Sequence, residues 1–269
     1  MDKIDLLSEE IERKALESMH NNCPKETRDK LGLELIEVAD CIVALSTNDP
    51  SILLNRTLGL GVEQEVTVDS LKRIKELYSS RNIDNYFLHI YEEGLDESSR
   101  DLLNSKEFTK KRGWMKFRST EPSNYTASTD FRIEVVGMDK STDFGTIVCG
   151  AFGMTELSIP LLASLAKDDR WYLFVSYEGD TPAGAGSLFV DGELGWLEWG
   201  ATHPDFRSRG SQAKIMAERL KLAWELGCKY IFTETGEAVE GDRQHSYKNI
   251  LKAGFSESIL RLNYGPGEN

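Results

Sequence analysis

The sequence predicts a mixed α/β (α+β) chain built as two successive halves of similar design. Three observations predict it. Trp171–Tyr177, Ala183–Val190 and Leu194–Thr202 read as a three-strand meander, the last alternating Trp196, Glu198 and Gly200 with Leu197, Trp199 and Ala201. Residues 194–223 continue it as strand, loop and helix. The order helix, strands, helix, strand, helix, strand runs through residues 4–118 and recurs in residues 131–264.

The bulk numbers bound the function. At 269 residues the chain is long enough for one large or two ordinary domains. Its net charge of -13 argues against general nucleic-acid binding, because phosphate contacts need a basic face. It suits a cationic substrate such as an amine, and it is also ordinary for a soluble protein. Cys23, Cys41, Cys149 and Cys228 lie far apart with no Cys-x-x-Cys pair, so no metal site is expected and the thiols read as reduced, in a cytoplasmic compartment. The first residues, MDKIDLLSEEIERK, carry acids where a signal peptide has an apolar core, and no run of about eighteen apolar residues spans a membrane.

In the first half, Ile4, Leu7, Ile11, Ala15 and Met19 form a helical stripe over residues 4–20, with Ser8 as a candidate cap. Leu33–Val38, Cys41–Leu45 and Ile52–Leu60 read as strands. Thr67–Ser70 opens a helix with Leu71, Ile74, Leu77 and Tyr78 on its buried side. Asn85–Tyr91 is a strand, Ser98–Leu103 a short helix and Gly113–Arg118 a strand. Lys106–Arg118 is locally basic with interleaved aromatics, but the alternation favours a solvated strand face over a nucleic-acid surface. Ser119–Thr129 is polar, aperiodic and reads as a linker. In the second half, Phe131–Val136 is a strand, and Phe144–Phe152 and Leu157–Ala166 are helical. After the meander come a helix at 211–226, a strand at 230–235, a helix at 244–253 and a last strand near 256–264.

Arg207-Ser208-Arg209-Gly210-Ser211-Gln212-Ala213 is a basic, glycine-containing turn that opens a helix. The first amides of a helix lack intrahelical partners and sit at the positive end of its dipole, so such a turn can cradle phosphate oxygens. This segment and its flanks resemble the acyl-CoA-binding core of the GNAT superfamily of N-acetyltransferases. That family carries Arg/Gln-x-x-Gly-x-Gly/Ala between its fourth strand and third helix; Arg207 and Gly210 match. Gly227–Thr235 is similar to the family's fifth strand. Ser246–Phe255, ending in Lys252-Ala253-Gly254-Phe255, is similar to its fourth helix and terminal Gly-Phe. Two positions depart from the pattern. Gln212 stands where the last small residue of the loop belongs, and Ile250 stands where the family often has a Tyr serving as general acid.

The resemblance covers roughly residues 130–269. It implies two tandem GNAT-like domains, each a mostly antiparallel twisted sheet flanked by helices: a degenerate copy at 1–118, a linker at 119–129 and an acetyltransferase domain at 130–269. The first copy has acidic Val62-Glu63-Gln64-Glu65 in place of the phosphate turn. The implied activity is N-acetyl transfer from acetyl-CoA to a primary amine of a small molecule or protein, by a monomer or homodimer. The alternative is a non-catalytic acyl-CoA-binding or interaction module. The implied cofactor residues are Ala201, Thr202, Arg207, Ser208, Arg209, Gly210, Ser211, Gln212, Ala213 and Asn249. Acyl transfer needs a base to deprotonate the amine, and Glu198, between Trp196 and Trp199, is the first choice with Glu234 as rival. Tyr247 is the first choice for the acid, with Ser246 and His245 as further options.

Overall fold

The computed structural model describes residues 1–242 and 244–267. Helix α1 (Lys3–Asn22) opens the chain, capped by Asp2 and not by Ser8: Asp2 accepts from the amides of Ile4 and Asp5, while the Ser8 hydroxyl donates to the Asp5 carbonyl. A short helix, α2 (Lys25–Leu31), follows, which the sequence reading did not contain. Strands β1 (Leu33–Val38), β2 (Cys41–Ser46) and β3 (Arg56–Leu58) form a small antiparallel sheet. β3 is shorter than its apolar run predicts. Asn55 bonds the Ser46 amide (2.8 Å) and the Asp49 carbonyl (2.8 Å), holding Ser51–Asn55 in a turn.

Helix α3 (Val68–Ser79) buries the predicted Leu71, Ile74, Leu77 and Tyr78. Next come β4 (Leu88–Ile90), α4 (Glu97–Leu103) and β5 (Phe108–Ser119). The second half contributes β6 (Arg132–Val136), α5 (Ser141–Phe152), α6 (Ile159–Ala163), β7 (Trp171–Glu178), β8 (Thr181–Asp191), β9 (Leu194–Thr202), α7 (Ser211–Glu225), β10 (Tyr230–Gly236), α8 (His245–Lys252) and β11 (Ser256–Pro266). The segment between β5 and β6 carries no helix or strand. All four cysteines are buried free thiols. Among the described residues no helix is long and apolar enough to cross a membrane.

The large sheet has the order β4-β11-β5-β10-β9-β8-β7-β6. All its neighbours are antiparallel except β9 and β10, which run parallel. Isolated parallel bridges from Arg56 to Phe87 and from Leu60 to Ile90 join β3 to β4, extending the small sheet into the large one. Apart from one additional strand at the β6 end, the combined order then reads alike from both ends. In each half a parallel pair, β3/β4 or β9/β10, is followed by a strand borrowed from the other half: β11 lies beside β4, and β5 beside β10. β5 and β11 pair with each other at the centre.

One face of the large sheet packs on α1, α5 and α6 through residues such as Ile11, Phe144, Trp196 and Phe232; the other packs on α7 and α8 through Ile215, Leu220, Leu197 and Ile250. α1 thus lies across the second half's strands. It brings Glu9 and Glu12, which sit off its apolar stripe, down onto β5 and β11. The expectation of a solvated β5 face holds for Lys110, Lys111 and Arg112, which are exposed, and fails at Lys116. Lys116 is fully buried, paired with Glu9 and with Glu12 at 2.7 Å. Where α1 covers β5 the strand is closed to solvent, so a cation there survives only with counter-charges.

Candidate active site

β9 pairs with β10 from Leu194↔Tyr230 to Leu197↔Thr233 and no further. At that point the Thr233 hydroxyl donates to the Leu197 carbonyl (2.9 Å). Trp199 then adopts a left-handed backbone (φ 56°), and the β8/β9 register slips between Ala185 and Ser187. A bulge of this kind bends its strand, and here the bend takes β9 away from β10. The opening is a cavity of about 220 Å³ that reaches both sides of the sheet. Arg56, Trp114, Glu198 and Glu234 line it towards α1; Met216, Arg219, Asn249 and Ile250 line it towards α7 and α8.

The cavity shares Phe152, Gly200, Gln212 and Asn249 with a wider cleft of about 660 Å³. Ala201, Thr202, Arg207, Ser208, Gly210, Ser211, Gln212, Ala213 and Asn249 all line that cleft, so the structure brings together the residues the sequence grouped. Arg209 is turned aside: its guanidinium pairs with Glu178 and stacks 4.4 Å above Phe131. α7 starts on Gly210, whose φ of 87° favours glycine, and among the described residues no side chain caps its first amides. A Cβ at Gly210 would stand 2.6 Å from the Ser128 carbonyl oxygen. Gly210→Ala is therefore expected to cost ~1–3 kcal/mol and to displace the loop; thermal unfolding and acetyl-CoA titration of the variant check both. Gln212 swings towards Asn249, whose amide donates to it at 3.4 Å, which leaves the backbone accessible. The corresponding helix start in the first half differs. Thr67 and Ser70 cap α3 reciprocally, so the amides of Thr67 and Ser70 are already engaged.

The α1 side of the cavity rests on buried charge. Arg56 reaches Glu198 (3.1 Å), Glu12 (3.4 Å) and Glu234 (3.5 Å). Arg261 pairs with Glu12 (2.7 Å) and with Glu234, and Lys116 with Glu9 and Glu12. Burial alone would raise the Glu12 carboxyl, but Arg261, Lys116 and Arg56 hold it well below the ordinary range. Glu198 and Glu234 behave oppositely. Burial raises Glu198, with Arg56 opposing; burial likewise raises Glu234, with Arg261 opposing. The cluster sets three cations, Arg56, Lys116 and Arg261, against four carboxylates, Glu9, Glu12, Glu198 and Glu234. That surplus negative charge is relieved by a bound proton or by a bound cation. The Glu198 side chain, 16% exposed, remains within reach of the cavity.

The candidates for the acid are dispersed. Tyr247 is not brought to the cavity: its hydroxyl donates to Glu257 (2.6 Å), its ring meets Phe117 edge-on, and burial beside Glu257 pushes its pKa up to about 12. Ser246 lines the inner cavity and His245 the wider cleft. Sequence reasoning missed Arg56 and Arg219. The signal for Arg56 was a lone cation inside the apolar run Leu53–Leu58.

Residues 147–255 match the model of the acetyltransferase (GNAT) family. No curated protein matches the chain in sequence. Among solved structures, a GCN5-related N-acetyltransferase from Kribbella flavida superposes with a TM-score of 0.62 at 12% identity, over 94% of this chain and 96% of that one. A functionally unknown conserved protein from Staphylococcus epidermidis gives 0.58 at 10% identity, over 93% and 100%. An acetyltransferase of the GNAT family from Colwellia psychrerythraea gives 0.52 at 17%, over 85% and 80%. At these identities the likeness is one of fold, and it extends through both halves. Residues 147–255, which hold β9, α7, β10 and α8, thus carry the match to the GNAT acetyltransferase family.

Proposed function

We propose that the chain transfers an acetyl group from acetyl-CoA to the primary amine of a small molecule, by direct attack on the thioester. The observation that carries this reading is the cavity through the sheet where β9 leaves β10. The uncapped amides of α7 open on one side of it and Glu198 stands on the other. The α7 amides and Arg207 hold the pyrophosphate, and the β9 edge from Trp199 to Thr202 holds the pantetheine arm, with Asn249 and Gln212 alongside. The acceptor enters between Trp114, Phe152 and the two carboxylates. Its ammonium supplies the positive charge the buried cluster lacks. Glu198 takes the proton, because an ammonium has no lone pair with which to attack.

The first half is a worn copy of the same domain that braces the site and furnishes Arg56, Leu53 and Trp114 to it. The matching strand order supports this, and so does the capped α3. The four buried thiols suit a reducing, cytoplasmic compartment.

Calorimetric titration with acetyl-CoA tests the reading. One molecule is expected per chain. Arg207→Ala is expected to weaken binding about tenfold, and Arg209→Ala less, because Arg209 is engaged by Glu178 and Phe131. Two molecules per chain would make the first half a working site, and no binding would end the transferase reading. A second reading, a non-catalytic acyl-CoA-binding module, is favoured by Ile250 in the usual acid position and by Tyr247 facing Glu257. Turnover with a panel of small amines separates the two.

A further inference from the structure

Arg219 lies on α7 with 2% of its surface exposed, and it lines the cavity on the helix side. Its Nη1 donates to the carbonyls of Ser187 (3.0 Å) and Glu198 (3.1 Å), residues that pair with each other at one edge of the β9 bulge. The rest of the guanidinium is left over. Among the described residues Nε has no hydrogen-bond partner, and Nη2 meets only the Met216 sulfur at 3.8 Å. Gly186 and Gly200 leave room for it: a Cβ at Gly186 would lie 3.0 Å from Cζ, and one at Gly200 3.7 Å from Nη2.

Among the described residues no carboxylate comes within ion-pairing distance of Arg219. Glu198, whose carbonyl it holds, sends its carboxylate to Arg56. Glu218, beside it on α7, pairs with Lys214 at 2.6 Å. On α8 the facing cavity residues are Ser246, Asn249 and Ile250, none of them charged. Burial without a counter-ion pushes the arginine pKa down. An unpaired buried cation costs several kcal/mol, and two carbonyls at a bulge do not require a guanidinium.

We propose that Arg219 receives the thiolate released from acetyl-CoA, in place of the acid that position 250 lacks. This rests on the acetyl-transfer reading above. The amine nitrogen forms a bond to the thioester carbon, and the carbonyl π pair moves onto oxygen. Glu198 has by then passed the ammonium's proton on to solvent, and the second proton leaves the nitrogen to Glu198. The oxygen pair then re-forms the carbonyl, the C–S bond breaks, and its electron pair leaves on sulfur beside Nη2 of Arg219, on the Gly200 side of the cavity. No proton donor is needed at the sulfur.

The test compares CoA with desulfo-CoA, which lacks the thiol, on the wild type, Arg219→Met and Arg219→Lys. In the wild type the preference for CoA is expected to grow ~10-fold or more as pH rises from about 7 to about 9 and the thiol ionises. Arg219→Met is expected to abolish that growth while binding desulfo-CoA as the wild type does; Arg219→Lys is expected to keep part of it. A wild-type preference that does not change with pH overturns the proposal, even where Arg219→Met fails to fold. So does an Arg219→Met variant that loses CoA and desulfo-CoA equally, which would mark a packing role. A pH-dependent preference with no amine turnover would sink the transferase reading and leave the thiolate site standing.

Discussion

Glu198→Gln is expected to lower kcat by ~10²–10⁴-fold while leaving acetyl-CoA affinity near the wild-type value. Glutamine keeps the size of the side chain and can still accept from Arg56, so the loss isolates proton transfer. The wild-type rate should rise with pH through the elevated Glu198 pKa and then level, because only the carboxylate accepts a proton. That limb should vanish in the variant. An unchanged pH–rate profile would remove Glu198 from the mechanism and leave Glu234 as the nearest base. Stability should move the other way. A carboxyl whose folded pKa lies above its unfolded value binds more protons when folded, so it costs stability as pH rises from the unfolded value through the folded one. Across that window the glutamine variant should lose less thermal stability than the wild type.

Arg56→Met is expected to destabilise the fold by ~3–5 kcal/mol, because it leaves carboxylates buried without a cation they now share. Denaturant unfolding reads this directly. The change also tests whether the first half serves the chemistry of the second. Arg56 opposes the burial that raises Glu198, so its removal should push the Glu198 pKa higher still and shift the acid limb of the rate profile to higher pH. Loss of stability with an unmoved limb would make Arg56 a brace only.

The elements with local signals were legible. β9 spans Leu194–Thr202 as read, and α7 ends within a residue of its expected end. The loop from Arg207 to Ala213 announces itself because a positive-φ glycine, two arginines and a helix start are contiguous. The buried charge was not legible. Glu9 and Glu12 look like the polar side of an amphipathic helix, and Lys116 looks like the outward residue of an alternating strand. Each becomes interior only because α1 crosses the sheet and β5 lies between β10 and β11. Such placements depend on contacts more than a hundred residues apart, and no window along the chain contains both partners. Tyr247 failed differently: it lies on the expected helix, but Glu257 on β11 claims its hydroxyl.

The exchange of β5 and β11 also sets an order of events at the ribosome. When synthesis reaches Ser119, the twelve residues of β5 exist but neither neighbour does, since β10 begins at Tyr230 and β11 at Ser256. Pairings so distant in sequence close late. Until then β5 is a naked strand carrying Phe108, Trp114 and Phe117, the kind of edge that recruits other chains. Lys110, Lys111 and Arg112, exposed in the finished fold, sit near its start. Their mutual repulsion with a second nascent copy keeps that edge single until its own partners arrive.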